Sequence, residues 1–241
     1  MKKIVTLTAA LLALSATMAL AQGGLNLFSN GCSADVGASS SATFACDVNT
    51  GSNQLYASVI VPADMPMFTG TTAIIDVTVG APALPSWWQV QPGGCRANAF
   101  SLSFDPANVA TTGCNDIWAG STNTPIQQVQ VGLHGPNTLR LIGGAALTAG
   151  SEIPIVADGS ELNVARVTIS HINTLSCSGC DTPVCLTLSE CYLQQPGLLP
   201  QYRVTTPISN TVSFNNSGQL DCVGATPAKN RTWGQVKSLY R

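Results

Sequence analysis

The run Cys177-Ser-Gly-Cys180-Asp-Thr-Pro-Val-Cys185-Leu-Thr-Leu-Ser-Glu-Cys191 holds four of the chain's nine cysteines, and Cys222 follows downstream. Sulfur at that density admits disulfides, a thiolate metal site or a redox dithiol. The compartment decides among them, and the N-terminus bears on the compartment. Met1-Lys2-Lys3 precedes an apolar run from Ile4 to Leu14, and Ala19-Leu20-Ala21 stands before Gln22. A charged start, a short apolar segment and a small-x-small cleavage site read as a signal peptide over residues 1–21. The run falls short of the ~20 residues that cross a bilayer. The chain is therefore expected to be secreted to the extracellular space, the cell surface or the periplasm, and not to span a membrane. Exported thiols are oxidised to disulfides that persist there. Nine is an odd number, so at least one thiol is left free or bonded to another molecule.

Hydrophobic residues make up 45% of the chain, enough for a core, while charged residues make up only 9% against about 25% in ordinary globular proteins. Loss of Lys2 and Lys3 moves the formal net charge from −2 to −4, which argues against nucleic acid as a partner. Alternation with period two marks Gln54 to Val61, Thr71 to Val79, Ala97 to Phe104, Ile126 to Leu133 and Leu162 to Ile172 as strands. Shorter runs begin the mature chain and cover Leu139 to Ile142, Val184 to Leu188 and Thr211 to Phe214. Eight to ten strands between Gly, Pro, Asn and Asp turns imply an all-β, antiparallel β-sandwich or jelly roll over residues 22–222.

Three segments carry resemblances. Phe100-Ser-Leu-Ser-Phe-Asp-Pro106, Ala165-Arg-Val-Thr-Ile-Ser170 and Pro183-Val-Cys-Leu-Thr-Leu188 resemble the strand order of cohesin-like and related carbohydrate-binding sandwiches. The Leu84-Pro-x-Trp-Trp88 segment, the cysteine cluster and the tail Asn230-Arg-Thr-Trp-Gly-Gln-Val-Lys-Ser-Leu-Tyr-Arg241 resemble an uncharacterised family of secreted bacterial proteins, over nearly the whole mature chain. That family supplies no activity. Cys191 departs from its pattern, which makes it the candidate free thiol.

Cys32 and Cys46 bracket thirteen residues, a local staple that would contribute roughly 3 kcal/mol on the chain-entropy model. Cys95 and Cys114 enclose eighteen residues and form a second expected pair. On one straight strand Cys185 and Cys191 would share a face, about 20 Å apart at ~3.3 Å per residue, beyond the roughly 7 Å that a disulfide tolerates. Cys177, Cys180, Cys185 and Cys222 remain. Their simplest pairing is Cys177 with Cys180 and Cys185 with Cys222, although the other connectivities stay open. A four-thiolate zinc site has the right ligand count, and a redox dithiol would need a helix N-terminus that the flanking strands do not provide.

Trp87, Trp88 and Trp118 lie near the Cys95 and Cys114 staple, where exposed rings could stack on a glycan; packing in the core is the other reading. No Gly-x-Ser-x-Gly, His-Glu-x-x-His or phosphate loop occurs. His134 and His171 read as turn and strand-end residues. Single acids such as Asp105, Asp116, Asp158, Glu161 and Asp181 read as loop acids, with no paired carboxylates and no cofactor motif. Asp116, or Asp158 with Glu161, could meet calcium, yet EF-hand spacing is absent. In the tail, 223–241, Thr232-Trp-Gly-Gln235 fits a capping box. It opens a short basic amphipathic helix with Trp233, Val236 and Tyr240 along one face, which either folds back or docks to a partner. The expected function is a non-enzymatic structural or adhesive protein that meets an extracellular protein or glycan; a carbohydrate-binding module is the alternative, and a hydrolase with an unrecognised carboxylate pair the third.

Overall fold

The computed structural model describes residues 23–215 together with Cys222. The expected signal peptide and the expected tail helix, with Trp233, Val236 and Tyr240, lie outside the described residues. The strands run β1 (Gly24–Ser29), β2 (Ser41–Ala42), β3 (Ser52–Ile60), β4 (Met65–Phe68) and β5 (Gly70–Val79). Next come β6 (Phe100–Ser103), β7 (Asn115–Asp116), β8 (Asn123–Val131), β9 (Thr138–Leu147) and β10 (Ile153–Ile155). The last group is β11 (Leu162–Ser170), β12 (Val184–Gln194), β13 (Tyr202–Val204), β14 (Pro207–Ser209) and β15 (Thr211–Phe214). Among the described residues helix is limited to 3₁₀ turns at Ser86–Trp88, Pro106–Val109 and Thr174–Ser176.

The first sheet has the order β14-β1-β3-β11-β6, with β7 beside β11, and the second the order β2-β15-β12-β5-β9-β8, with β13 beside β12. Neighbours are antiparallel except for the short parallel pairs β1 with β14, β11 with β7, and β15 with β2. The two sheets pack face to face, and the fold is an all-β, disulfide-stapled sandwich with jelly-roll connectivity. Alternation places Ala73, Ile75, Val77 and Val79 of β5 in the core opposite Leu55, Ala57 and Val59 of β3, all essentially without solvent exposure. Each such aliphatic side chain contributes about 1.5–3 kcal/mol by leaving water, as an upper bound. Gly143 of β9 allows the sheets to close, because a Cβ there would sit 2.4 Å from Leu102 Cδ1.

In β12 the alternation is interrupted. The ladder with β5 shifts register between Leu188 and Glu190, a bulge that lets Cys191 and Leu193 point inward after Val184, Leu186 and Leu188 have done so. The expectation that Cys185 and Cys191 share a face is thereby corrected. Cys185 faces outward and bonds Cys222, whereas Cys191 is buried and free.

Pairing of the other cysteines also differs from the expected local staples. The bonds are Cys32–Cys114, Cys46–Cys180 and Cys95–Cys177, over sequence separations of 82, 134 and 82 residues. Residues near in sequence were assumed to be near in space, but a jelly roll returns distant loops to the same end of the sandwich. Loops of this length are worth about 4–5 kcal/mol each on the chain-entropy model, more than the local staples would have been. Cys177 and Cys180 bond to different partners, so neither the zinc ligand set nor a C-x-x-C dithiol exists in the folded protein.

Candidate functional site

The tryptophans sit in the interior, which corrects the expectation of an exposed aromatic platform. Trp87 and Trp88 are fully buried and Trp118 is 1% exposed. Trp87 and Trp88 form a 3₁₀ turn after Pro85 and meet edge to face with ring centroids 5.0 Å apart. Phe44 lies 4.6 Å from Trp87 and stacks on Phe214 at 4.2 Å. Arg96 closes this cluster: its guanidinium lies 3.4 Å from the centre of the Trp87 ring and donates to the carbonyls of Trp87, Ser170 and Ile172. Burial pushes its pKa down to about 10. Trp118 is turned inward by Asp116, whose carboxylate accepts the Trp118 and Gly120 amides at 3.0 and 2.7 Å, and it packs near Phe68 and Phe104.

The acids are engaged in shaping loops. Asp105 accepts the Ala107 amide, Asp158 the Ser160 amide and Asp64 the Ala157 amide. Asp35 accepts the Cys32 and Gly113 amides, and Glu161 accepts both hydroxyls of Ser33 and Ser58. Glu161 also lies beside Cys32 and Cys114, but those two sulfurs are bonded to each other and leave a single carboxylate for any ion. Two open clefts of about 650 and 630 Å³ carry one carboxylate each, Asp181 and Asp105. Glycoside hydrolysis needs two facing carboxyl groups, so neither cleft has that equipment.

His171 is buried, with Nε2 2.7 Å from Asn53 Oδ1 and Nδ1 3.2 Å from the Thr50 carbonyl. Burial, and then the charge of Arg96, hold its pKa below the ordinary value against the opposing Thr50 contact. His134 is exposed in the β8–β9 turn. Cys191 touches only Thr71 Oγ1 among polar partners, at 3.2 Å, and burial pushes its thiol up to about 12. A thiol that does not ionise is not a nucleophile at neutral pH.

What remains is surface, and the two outer faces differ. Over the first sheet, the loop after β1 and the loop before β7 are joined by Cys32–Cys114, which packs with Tyr56 and Val109 in a small apolar cluster of its own. Over the second sheet most outward side chains of β8, β9 and β5 reach solvent, whereas Cys185 and Thr187 of β12 are buried. The ladders place Gln128, Ile142, Ile74 and Glu190 in one row across it, and Gln130, Arg140, Asp76 and Thr187 in the next.

Arg140 grips Asp76 in a two-point ion pair at 2.6 and 2.8 Å, and Glu190 lies near enough to raise the Arg140 pKa further. Glu190 in turn pairs with Arg203 of β13 at 2.5 Å. Ile74, Ile142 and Tyr192 are half-buried beside these pairs. The result is a face with half-buried apolar side chains between matched charges. The Asp76–Arg140 pair is not among the sequence expectations. The signal available was the outward parity of Arg140, two residues before Ile142.

Two of the five β8 residues on the parity that faces into the sandwich, Asn123 and Gln127, also reach across its open side. Gln127 Oε1 accepts the Leu102 amide at 2.8 Å, and Asn123 Nδ2 donates to the Phe104 carbonyl at 2.7 Å. These side chains close the edge of β6, while among the described residues no strand pairs with the outer edge of β8. Among the described residues no helix is long and apolar enough to cross a membrane. No family model, curated protein or solved structure matches the chain.

Proposed function

We propose that the protein is a secreted, non-enzymatic structural or adhesive domain that docks another extracellular protein on the outer face of the β8-β9-β5-β12 sheet. One observation carries the reading: on this face Ile74 and Ile142 reach solvent between the Asp76–Arg140 and Glu190–Arg203 ion pairs, while on the opposite sheet two disulfide-linked loops pack over Tyr56. Four disulfides suit an oxidising compartment, and their long-range connections make a rigid support for a flat surface. His171 and most of the acids are engaged in hydrogen bonds or ion pairs, and each of the two clefts carries a single carboxylate. With Trp87, Trp88 and Trp118 in the core, the glycan reading loses its aromatic residues.

The experiment compares the wild-type protein with Ile74→Lys/Ile142→Lys in surface retention on the producing cells. Both substitutions fall on the outer face, so the unfolding midpoint is expected to stay within a few degrees while retention falls. Equal retention of wild type and variant would sink the docking reading. Binding of the purified protein to a glycan array would redirect it toward the carbohydrate-binding alternative.

A further inference from the structure

We propose that the open edge of β8 is a self-association site, pairing antiparallel with β8 of a second copy to join two seven-stranded sheets into one. The edge is nine residues long, Asn123-Thr-Pro-Ile-Gln-Gln-Val-Gln-Val131, and contains no charged residue. Natural sheets protect such edges with lysines, short strands or covering loops. The other sheet ends follow that rule here: β14 and β13 have three residues each and β2 has two. The four-residue β6 edge carries the Gln127 and Asn123 side chains described above. β8 has only Pro125.

The position of Pro125 shows which backbone groups are free. In the β8–β9 ladder Pro125 lies opposite Ala145, and the Gly132 amide donates to the Thr138 carbonyl opposite it. Hydrogen-bonded pairs alternate in an antiparallel ladder, so Thr124, Ile126, Gln128 and Gln130 bond to β9. Gln127, Val129 and Val131 turn their N–H and C=O groups outward. A two-fold axis through Val129 sets Val129 against Val129 and Gln127 against Val131 of the second copy, which makes about six backbone hydrogen bonds and bypasses the donor that Pro125 lacks.

In that register Gln128 of one copy lies opposite Gln130 of the other on the outer face. A primary amide both donates and accepts, so it is its own complement, and an uncharged strand meets its copy without repulsion. These two features select a second copy as the occupant. Ile126, 75% exposed on the monomer, lies along the same seam. The association does not depend on what the outer face binds. One strand pair is a small interface, so the dimer is expected to dissociate on dilution.

The test is sedimentation equilibrium of the purified, oxidised protein over a concentration series into the millimolar range, with amide hydrogen exchange in parallel. The wild type is expected to dimerise, with the Gln127, Val129 and Val131 amides protected. Gln128→Lys/Gln130→Lys places like charges opposite one another across the seam and leaves the β9 ladder intact. That variant is expected to stay monomeric, to lose protection at those three amides and to unfold at the wild-type midpoint. A second pair, Gln128→Lys mixed with Gln130→Glu, is expected to restore a dimer. Three outcomes would overturn the proposal: a wild type that stays monomeric with exchanging edge amides, a monomer whose edge amides are protected by another segment, or a dimer that survives the lysine pair.

Discussion

Replacing Trp87 by alanine separates a core role from a surface role more sharply than any other single change. Truncating a buried tryptophan costs about 3–5 kcal/mol. Here two further contributions depend on the same ring. The Arg96 guanidinium sits 3.4 Å from its centre and has no solvent exposure, and such a desolvated cation–π contact is worth about 2 kcal/mol. The indole Nε1 donates to Thr174 Oγ1 at 3.3 Å, a bond worth about 1 kcal/mol. These contributions share partners and do not add fully, which places the expected loss near 5 kcal/mol. For a domain of this size that corresponds to a fall of about 10–20 °C in Tm. The assay is urea unfolding under non-reducing conditions, read by circular dichroism, with Trp87→Phe as the control that keeps a ring beneath Arg96 and loses less. If Trp87→Ala shifted the midpoint by less than the equivalent of ~1 kcal/mol, the ring could not be part of the packed core.

Arg96→Ala leaves the Trp87, Ser170 and Ile172 carbonyls without their donor, and a loss of about 3–5 kcal/mol is expected from the same unfolding measurement. Gly143→Ala forces a methyl group against Leu102 and is expected to destabilise by about 1–3 kcal/mol; a neutral result would mean that the sheets can move apart at that point. Non-reducing peptide mapping is expected to recover Cys46–Cys180 and Cys95–Cys177, with Cys191 alkylated only after unfolding, whereas a Cys177–Cys180 loop would contradict the fold. The depressed pKa of His171 means that the folded state favours the neutral ring. Its contribution is therefore complete above the ordinary histidine value near 6.5 and is lost as the pH falls through that value towards the folded one. Tm is expected to drop on acidification across that window, and to drop less in His171→Gln.

Strands were legible wherever one face meets the core and the other meets solvent. β5 is the clearest case: Ala73, Ile75, Val77 and Val79 alternate with Thr72, Ile74, Asp76 and Thr78, and the strand spans Gly70–Val79. Short edge strands escaped the same criterion, because β13 and β14 have three residues each and hold their place through a neighbour. The Cys191 side was misread for a physical reason as well. A bulge adds one residue to a strand and inverts the parity beyond it, and nothing in Leu188-Ser-Glu-Cys191 announces that Ser189 is the extra residue. Disulfide partners were hidden by connectivity: Cys46 and Cys180 are 134 residues apart, and only the closed sandwich brings their loops together. The Asp76–Arg140 ion pair was hidden for a related reason, since the two residues are 64 apart in sequence and meet only through the β5–β9 ladder.

The disulfides do more than hold the layers together; they decide which surface stays free. Cys32–Cys114 clamps two loops over the first sheet, and Cys46–Cys180 and Cys95–Cys177 fix the end of the sandwich where Trp87 and Trp88 are buried. Cys185 acts on the opposite side. Alternation along β12 directs it to the outer face of the second sheet, and its bond to Cys222 places the start of the chain's C-terminal segment at that face. Lys229, Arg231, Lys237 and Arg241 follow in sequence without an intervening acid. A partner docked as proposed therefore meets both the Ile74 and Ile142 surface and the position of Cys222, from which the basic tail continues in sequence.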